Sequence, residues 1–193
     1  MQPGNLIMIH LQEKYKKEAI PKMMEKFGYK NAMAVPKIKK VVINTGFGRL
    51  VIGAKTSDEQ KKICSAISDD LALISGQRPV LTKAKKSIAG FKTRKGVPVG
   101  AMITLRGKKM YDFLERLINI ALPRSRDFRG IDLKSFDRKG NLTIPVKEHI
   151  IFSEVSPEKS KLVFGFEITV AVKAENKDEG LELLKIMGFP LKV

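Results

Sequence analysis

The chain has 193 residues, 43% of them hydrophobic, with 37 Lys and Arg against 20 Asp and Glu and a net charge of +17. That length suits a single domain spanning 1–193 whose own core holds it together, and the composition excludes a disordered or collagen-like chain. A lone cysteine, Cys64, leaves no internal disulfide, and with His10 and His149 it is too thin a supply for an ordinary zinc site, so neither metal nor cofactor is expected. The basic excess points to a polyanionic partner, nucleic acid first. No run of eighteen apolar residues occurs and no signal-peptide pattern opens the chain, so a cytoplasmic protein without a membrane role is expected.

Residues 6–27 place Leu6, Ile9, Tyr15, Ala19, Ile20, Met23, Met24 and Phe27 among charged residues, which predicts an amphipathic helix kinked or restarted at Pro21 and closed by Gly28. Val35-Pro36 then leads into a β-branched strand over 38–45. Ser57 with Gln60 fits a capping box, and Ile63, Ile67, Leu71 and Ile74 repeat at helical spacing up to Gly76, with Cys64 one place beside that stripe. Strands are expected over 80–82 and 99–106, separated by a Lys- and Gly-rich loop. Gly107 opens a helix burying Met110, Phe113, Leu114, Leu117, Ile118 and Ala121, ended by Pro123. Residues 124–139 lack periodicity and read as a structured loop; 142–146 and the strictly alternating 163–173 read as strands, and Asn176 with Glu179 caps a last helix. The order implies an α+β fold: a largely antiparallel sheet with helices packed on one face and the other face polar.

The charge is segregated. Between Asp70 and Asp112 there is no acidic residue, while Arg78, Lys83, Lys85, Lys86, Lys92, Arg94, Lys95, Arg106, Lys108 and Lys109 all fall in that window. A continuous positive stretch can displace the counterions condensed on a phosphate backbone, whereas surfaces built for solubility mix both signs. Its loop carries Gly90 and Gly96 around Phe91, an aromatic that either stacks on an unpaired base or anchors the loop to the core. Strand alternation sets Gly100, Met102, Thr104 and Arg106, and Val42, Asn44 and Gly46, on faces opposite to Ala101, Ile103, Leu105 and to Val41, Ile43, Thr45. A face of short polar groups and glycines suits close approach to RNA and its 2′-hydroxyls, and equally an ordinary solvated face.

Other motifs fail. After Gly46-x-Gly48 the third glycine of a dinucleotide fingerprint should stand at 51, which is Val51, and in 48–56 Ala54 sits where a P-loop needs Lys. These glycines read as the turn out of the strand. Neither histidine lies in a triad motif, Cys64 reads as a buried thiol, and Asp127 and Asp137 read as ion-paired to Arg126 and Arg138. A basic RNA-modifying enzyme using Asp127 or Asp137 is the alternative to a non-catalytic RNA-binding protein.

Several runs carry a resemblance. Ile74-Ser75-Gly76-Gln77-Arg78-Pro79, Thr82-Lys83-Ala84-Lys85-Lys86-Ser87-Ile88-Ala89-Gly90-Phe91-Lys92 and Leu105-Arg106-Gly107, with Pro123-Arg124, 126–130, Ser135-Phe136-Asp137, Gly140-Asn141 and Ile150-Ile151-Phe152, resemble the bacterial-type large-subunit ribosomal protein five family. The resemblance covers the chain from about Met8, making residues 1–7 an extension of the usual start. It departs from the family at Thr45, where Met is usual, and at Arg49-Leu50. The resemblance implies a non-enzymatic protein of the large ribosomal subunit that binds 5S rRNA and large-subunit rRNA in the central protuberance, with no small-molecule substrate. Carried onto this chain, the 5S rRNA contacts are Asn44, Thr45, Gly46, Gln77, Thr82, Lys83, Lys86, Ser87, Thr104 and Arg106. A loop reaching P-site tRNA would use Gly90, Phe91, Lys92 and Arg94. A bridge to small-subunit ribosomal protein thirteen would use Lys139, Asn141, Ile151, Phe152 and Glu154.

Overall fold

The computed structural model describes residues 10–54, 56–126, 128–158, 160 and 162–192. The expectations for the N-terminal extension, for Leu6 and Ile9 and for Asp127 lie outside those residues.

Alternating burial builds the sheet. Strand β1 (Lys37–Gly46) buries Ile38, Val41, Ile43 and Thr45, and pairs antiparallel with β3 (Pro98–Leu105) on one side and β5 (Phe166–Lys173) on the other. Strand β2 (Val80–Lys83) pairs with β3 and β4 (Leu142–Val146) with β5, giving the order β2-β3-β1-β5-β4, antiparallel throughout, with β2 and β4 at the edges. Strand β5 starts three residues later than its alternation suggests. The reason is local: Phe164 exchanges hydrogen bonds with His149, and the Gly165 carbonyl accepts the Thr45 hydroxyl at 2.7 Å, so ladder pairing begins only at Phe166.

The helices cover the inner face. Helix α1 comprises Leu11–Lys14, a π-turn over Tyr15–Ala19, and Ile20–Phe27, ending at left-handed Gly28. Helix α4 repeats the device: Gly107–Arg116 runs into a π-turn, Leu117–Ala121, then Leu122–Arg124. In both, the π-turn lies just before a proline, Pro21 or Pro123. Widening the turn removes the demand for the amide that proline lacks, so Pro21 does not restart its helix and Pro123 does not end its own. Between them lie α2 (Gly48–Gly53), a short helix where a plain turn was expected, and α3 (Ser57–Ser75). The capping box of α3 is Thr56 with Glu59, one residue earlier than Ser57 with Gln60, and its buried stripe is Cys64, Ile67, Leu71 and Ile74, which includes the cysteine. Helix α5 (Lys177–Met187) starts after Asn176, whose side chain makes no cap; instead the Glu179 carboxylate accepts the Glu175 amide at 3.0 Å.

The aperiodic stretch after α4 is held by the C-terminal residues. Ile131 and Leu191 form a parallel bridge, with the Ile131 amide on the Pro190 carbonyl at 2.8 Å and the Lys192 amide on the Ile131 carbonyl at 2.9 Å. Further on, the 137–141 turn meets the first turn of α5 glycine to glycine. A Cβ on Gly140 would lie 2.8 Å from the Gly180 Cα, and one on Gly180 2.6 Å from the Gly140 carbonyl, so both positions require hydrogen side chains. The core contains the inner faces of β1, β3, β4 and β5 and the apolar stripes of the helices, with half-buried Leu81 of β2 packed against it. The fold is α+β, as the pattern of elements implies.

Candidate nucleic-acid interface

The outer face of the sheet has the helices behind it and is laid out by the strand register. Asn44 sits between Met102 and Glu167, with Val80 beyond Met102 and Pro145 beyond Glu167. The next row holds Gly46, Gly100 and Thr82; the row on the other side holds Thr104, Val42, Thr169 and Thr143. Thr143 and Thr169 hydroxyls lie 3.3 Å apart, and Arg106 follows β3 as an exposed side chain. A Cβ on Gly100 would come within 2.7 Å of the Thr45 carbonyl oxygen and 2.8 Å of Thr82 Oγ1, so the glycine lets Thr82 lie across the neighbouring strand. At the Gly46 end the face dips into a cleft of about 340 Å³ lined by Asn44, Gly46, Pro145, Gly165 and Glu167. This surface offers hydroxyl and amide groups, one carboxylate acceptor, and two exposed apolar side chains, Val80 (67% exposed) and Met102 (40%). Such a set can hydrogen-bond ribose hydroxyls and base edges while seating an apolar ring or sugar face.

The structure thus brings Asn44, Gly46, Thr82, Thr104 and Arg106 onto one surface. Gln77 stands at its edge, in the turn between α3 and β2, with its backbone pinned by the Ser75 hydroxyl and its side chain exposed. Four expected residues do not join them: Lys86 and Ser87 lie beyond β2, on the arm that leads to β3, and Thr45 and Lys83 are turned elsewhere. Thr45 is only 3% exposed, pointing inward to the Gly165 carbonyl, because it shares the core phase of Val41 and Ile43. Lys83 lies past a register shift and lines a groove of about 620 Å³ between β2 and α3, together with Arg78, Lys61 and Asp69. Met102 falls on this face as its alternation implies, whereas Val80, Glu167, Thr169 and Thr143 were not placed on it. Their alternation is in the sequence, but only the strand order places β5 and β2 beside this face.

Lys86, Ser87, Gly90, Phe91, Lys92 and Arg94 lie on the arm 84–97 that joins β2 to β3. The arm is tied to itself: Ala84 N to Val97 O at 2.8 Å, Gly96 N to Ala84 O at 2.9 Å, Ile88 N to Thr93 O at 3.0 Å, and Lys95 N to Ser87 Oγ at 2.9 Å. Its tip is a 3₁₀ turn, Ala89–Phe91, followed by Lys92 in the left-handed region. Phe91 is 71% exposed and touches no core residue, so the anchoring alternative does not hold. Among the described residues, none of the ten cations of the 78–109 window forms an ion pair; pairs fall elsewhere, on Lys17, Lys22, Lys26, Lys61 and Arg116. Their charge is therefore free to meet phosphates.

The five residues expected at an intersubunit bridge do not form one patch. Lys139 and Asn141 lie before β4, and Ile151, Phe152 and Glu154 beyond its other end. Asn141 is spent on the turn, its side chain accepting the Val172 amide at 2.9 Å and donating to Asp137 at 2.7 Å. Phe152 is buried and stacked on Phe113, ring centroids 5.8 Å apart, and Glu154 pairs with Arg116. Only Lys139 is fully presented to solvent.

The candidate catalytic groups are committed to structure. Asp137 does not pair with Arg138; its carboxylate accepts the Lys139 and Asn141 amides at 2.8 Å and the Asn141 side chain. Against the opposing effect of burial, these bonds hold it below the usual carboxylate range, where it is a poor acid or base at neutral pH. His149 is buried against Phe164, ring centroids 4.1 Å apart, with Ser160 Oγ 2.9 Å and Asp70 Oδ2 3.3 Å from its Nε2. A hydrolytic triad needs carboxylate and nucleophile on opposite ring nitrogens. Here both stand on Nε2, while Nδ1 accepts the Phe164 amide, so the cluster is a tie between α3 and the 149–164 segment. Burial pushes the Cys64 thiol up, away from the reactive thiolate. Among the described residues, no three His, Cys, Asp or Glu side chains gather to hold a metal, and no helix is long and apolar enough to cross a membrane.

Comparison with known proteins gives a concordant result. Residues 31–94 match the family described as ribosomal protein L5, and residues 98–191 match the model of the C-terminus of that ribosomal family. Among similar proteins, one from Halothermothrix orenii is 51% identical over 180 residues, covering 93% of this chain and 97% of the relative. Those from Geotalea daltonii (51%) and Desulforapulum autotrophicum (52%) align over 185 residues, 96% of this chain and 99% of each relative. All three bear the name large ribosomal subunit protein uL5. With half of its residues shared across almost its whole length, and both parts of the family matched in order, this chain belongs to the ribosomal protein L5 family.

Proposed function

We propose that this chain is a structural constituent of the large ribosomal subunit that binds 5S rRNA on the outer face of its sheet and also contacts large-subunit rRNA in the central protuberance. The observation that carries the reading is the face itself: Asn44, Thr104, Thr82, Gly46 and Arg106 in adjoining rows, uncovered by any helix of the described residues and flanked by cations outside ion pairs. Arm 84–97 extends from this face with Phe91, Lys92 and Arg94 near its tip, which suits contact with the elbow of P-site tRNA. The segment around the entry turn of β4 approaches small-subunit ribosomal protein thirteen through exposed side chains, Lys139 first, while Phe152 serves the core.

The test is binding of the purified protein to 5S rRNA, to a tRNA and to duplex DNA of equal length across a salt series. Specific binding to 5S rRNA persists at salt that dissociates the DNA, because charge contacts alone fade steeply with salt. Asn44→Ala weakens 5S binding by about 1–3 kcal/mol, since a buried partner on the RNA loses its hydrogen bond. Equal salt sensitivity for all three ligands, with Asn44→Ala silent, would reduce the face to a solvated surface.

A further inference from the structure

The rRNA reading leaves unexplained a second set of cations, away from the sheet face and the arm. Helix α4 ends at Arg124, and the chain turns extended at Ser125 into Arg126; on the other wall Lys147 follows directly on β4. The three surround a cavity of about 310 Å³ whose remaining lining includes Glu148, Ile150 and Ile151. Among the described residues of the lining, three cations stand against one carboxylate, an excess of positive charge. Among the described residues, none of the three takes part in an ion pair, whereas Arg116 on the same helix is paired with Glu154 and bonded to the Ile74 carbonyl at 3.0 Å.

The helix end explains only part of this. A cation in the last turn complements the partial negative charge of a helix C-terminus, which accounts for Arg124. Arg126 and Lys147 belong to no helix, and bringing them beside Arg124 with Glu148 as the one carboxylate of the described lining costs electrostatic energy that an oxyanion would lower. Two guanidinium groups suit a phosphate geometrically, since each presents parallel N–H donors to two oxygens, and the isoleucine side chains offer a seat for a ribose. The position also fits a nucleic-acid strand. Val146, the residue before Lys147, lines the same cleft as Asn44 and Gly46, so a strand leaving the sheet face over the β4 edge reaches this cavity next.

We propose that Arg124, Arg126 and Lys147 form a phosphate-backbone site for ribosomal RNA, adjoining but distinct from the sheet face. It rests on the rRNA-binding reading. The triple variant Arg124→Ala/Arg126→Ala/Lys147→Ala is compared with the wild type, with Asn44→Ala, and with an equal-charge control, Lys16→Ala/Lys30→Ala/Lys62→Ala, using 5S rRNA and deproteinised large-subunit rRNA as probes. All replaced cations are exposed, and thermal melts check that the fold survives. Each phosphate contact contributes about 0.7–0.9 to the slope of log affinity against log salt, so the triple variant should lower that slope by about 2 for one of the two RNAs. At 50 mM salt, where counterion release counts most, the triple variant should bind that RNA on the order of tenfold more weakly than the wild type. The control triple should change it far less. Slopes unchanged for both RNAs, or lowered equally by the control, would overturn the site while leaving Asn44→Ala to report on the sheet face. A wild type with no salt-resistant binding to either RNA, and no effect of Asn44→Ala, would overturn the rRNA reading itself.

Discussion

At the scale of single residues, the buried His149 carries a pH dependence whose sign follows from its surroundings. Burial lowers its pKa from the ordinary 6.5, opposed by Asp70 and by the hydrogen bond with Phe164. The unfolded chain therefore binds a proton more readily than the folded one, so the His149 contribution to stability is complete above pH 6.5 and is lost as pH falls toward the depressed folded value. Urea midpoints at pH 7.5, 6.5 and 5 should fall with pH in the wild type and fall less in His149→Gln. A variant with the same slope would assign the acid sensitivity to other groups. Single residues also mark where reading the sequence reaches its limit. Asn44 and Thr104 were identifiable as outward-facing from alternation alone, since period two fixes the face once the apolar side is known. Thr45 obeyed the same rule, pointing into the core, although the family resemblance grouped it with its neighbours in the RNA contact set.

At the scale of elements, arm 84–97 is an independent piece. Its hydrogen bonds close on themselves, its apolar tip faces solvent, and its attachment is the Ala84–Val97 pair continuing the β2–β3 ladder. Replacing 85–96 by Asn-Gly, a pair suited to the two-residue hairpin that would follow that ladder, should leave thermal stability nearly unchanged. The shortened protein should retain 5S rRNA binding and lose tRNA contact; a collapse in stability would show that the arm props the sheet. Most strands and helices were legible because apolar periodicity is a local signal and Gly28, Gly76 and Gly188 end helices in the left-handed conformation. What escaped depends on partners distant in sequence: the late start of β5, set by His149 and Thr45, and the strand order that sets Glu167 beside Asn44. The intersubunit set was scattered for the same reason, since Phe152 reads as one more residue of an apolar triplet until Phe113 is seen stacked on it. Both prolines were read as breaks, and a π-turn before each absorbed them.

At the scale of the whole molecule, the described residues cover the sheet with helices on one face, leave the other bare, and leave β2 and most of β4 as open edges. Such a surface invites copies of the chain to pair with one another. Edge β4 is blunted by Pro145, which has no amide to offer, and edge β2 ends in Lys83, followed by the cationic arm. The larger restraint is the net charge of +17, which acts over about 8 Å at 0.15 M salt but only about 3 Å at 1 M. Light scattering of the RNA-free protein should thus show self-association rising with sodium chloride, and little change when 5S rRNA is bound. Association that falls with salt would mean that charge attraction, not sheet pairing, drives it. If the polyanion binds where we propose, it cancels the repulsion that keeps the isolated chain dispersed and covers the bare face as it does so. On that reading, colloidal protection and ligand occupancy would succeed one another on a single surface, with no interval in which that surface is both neutral and open.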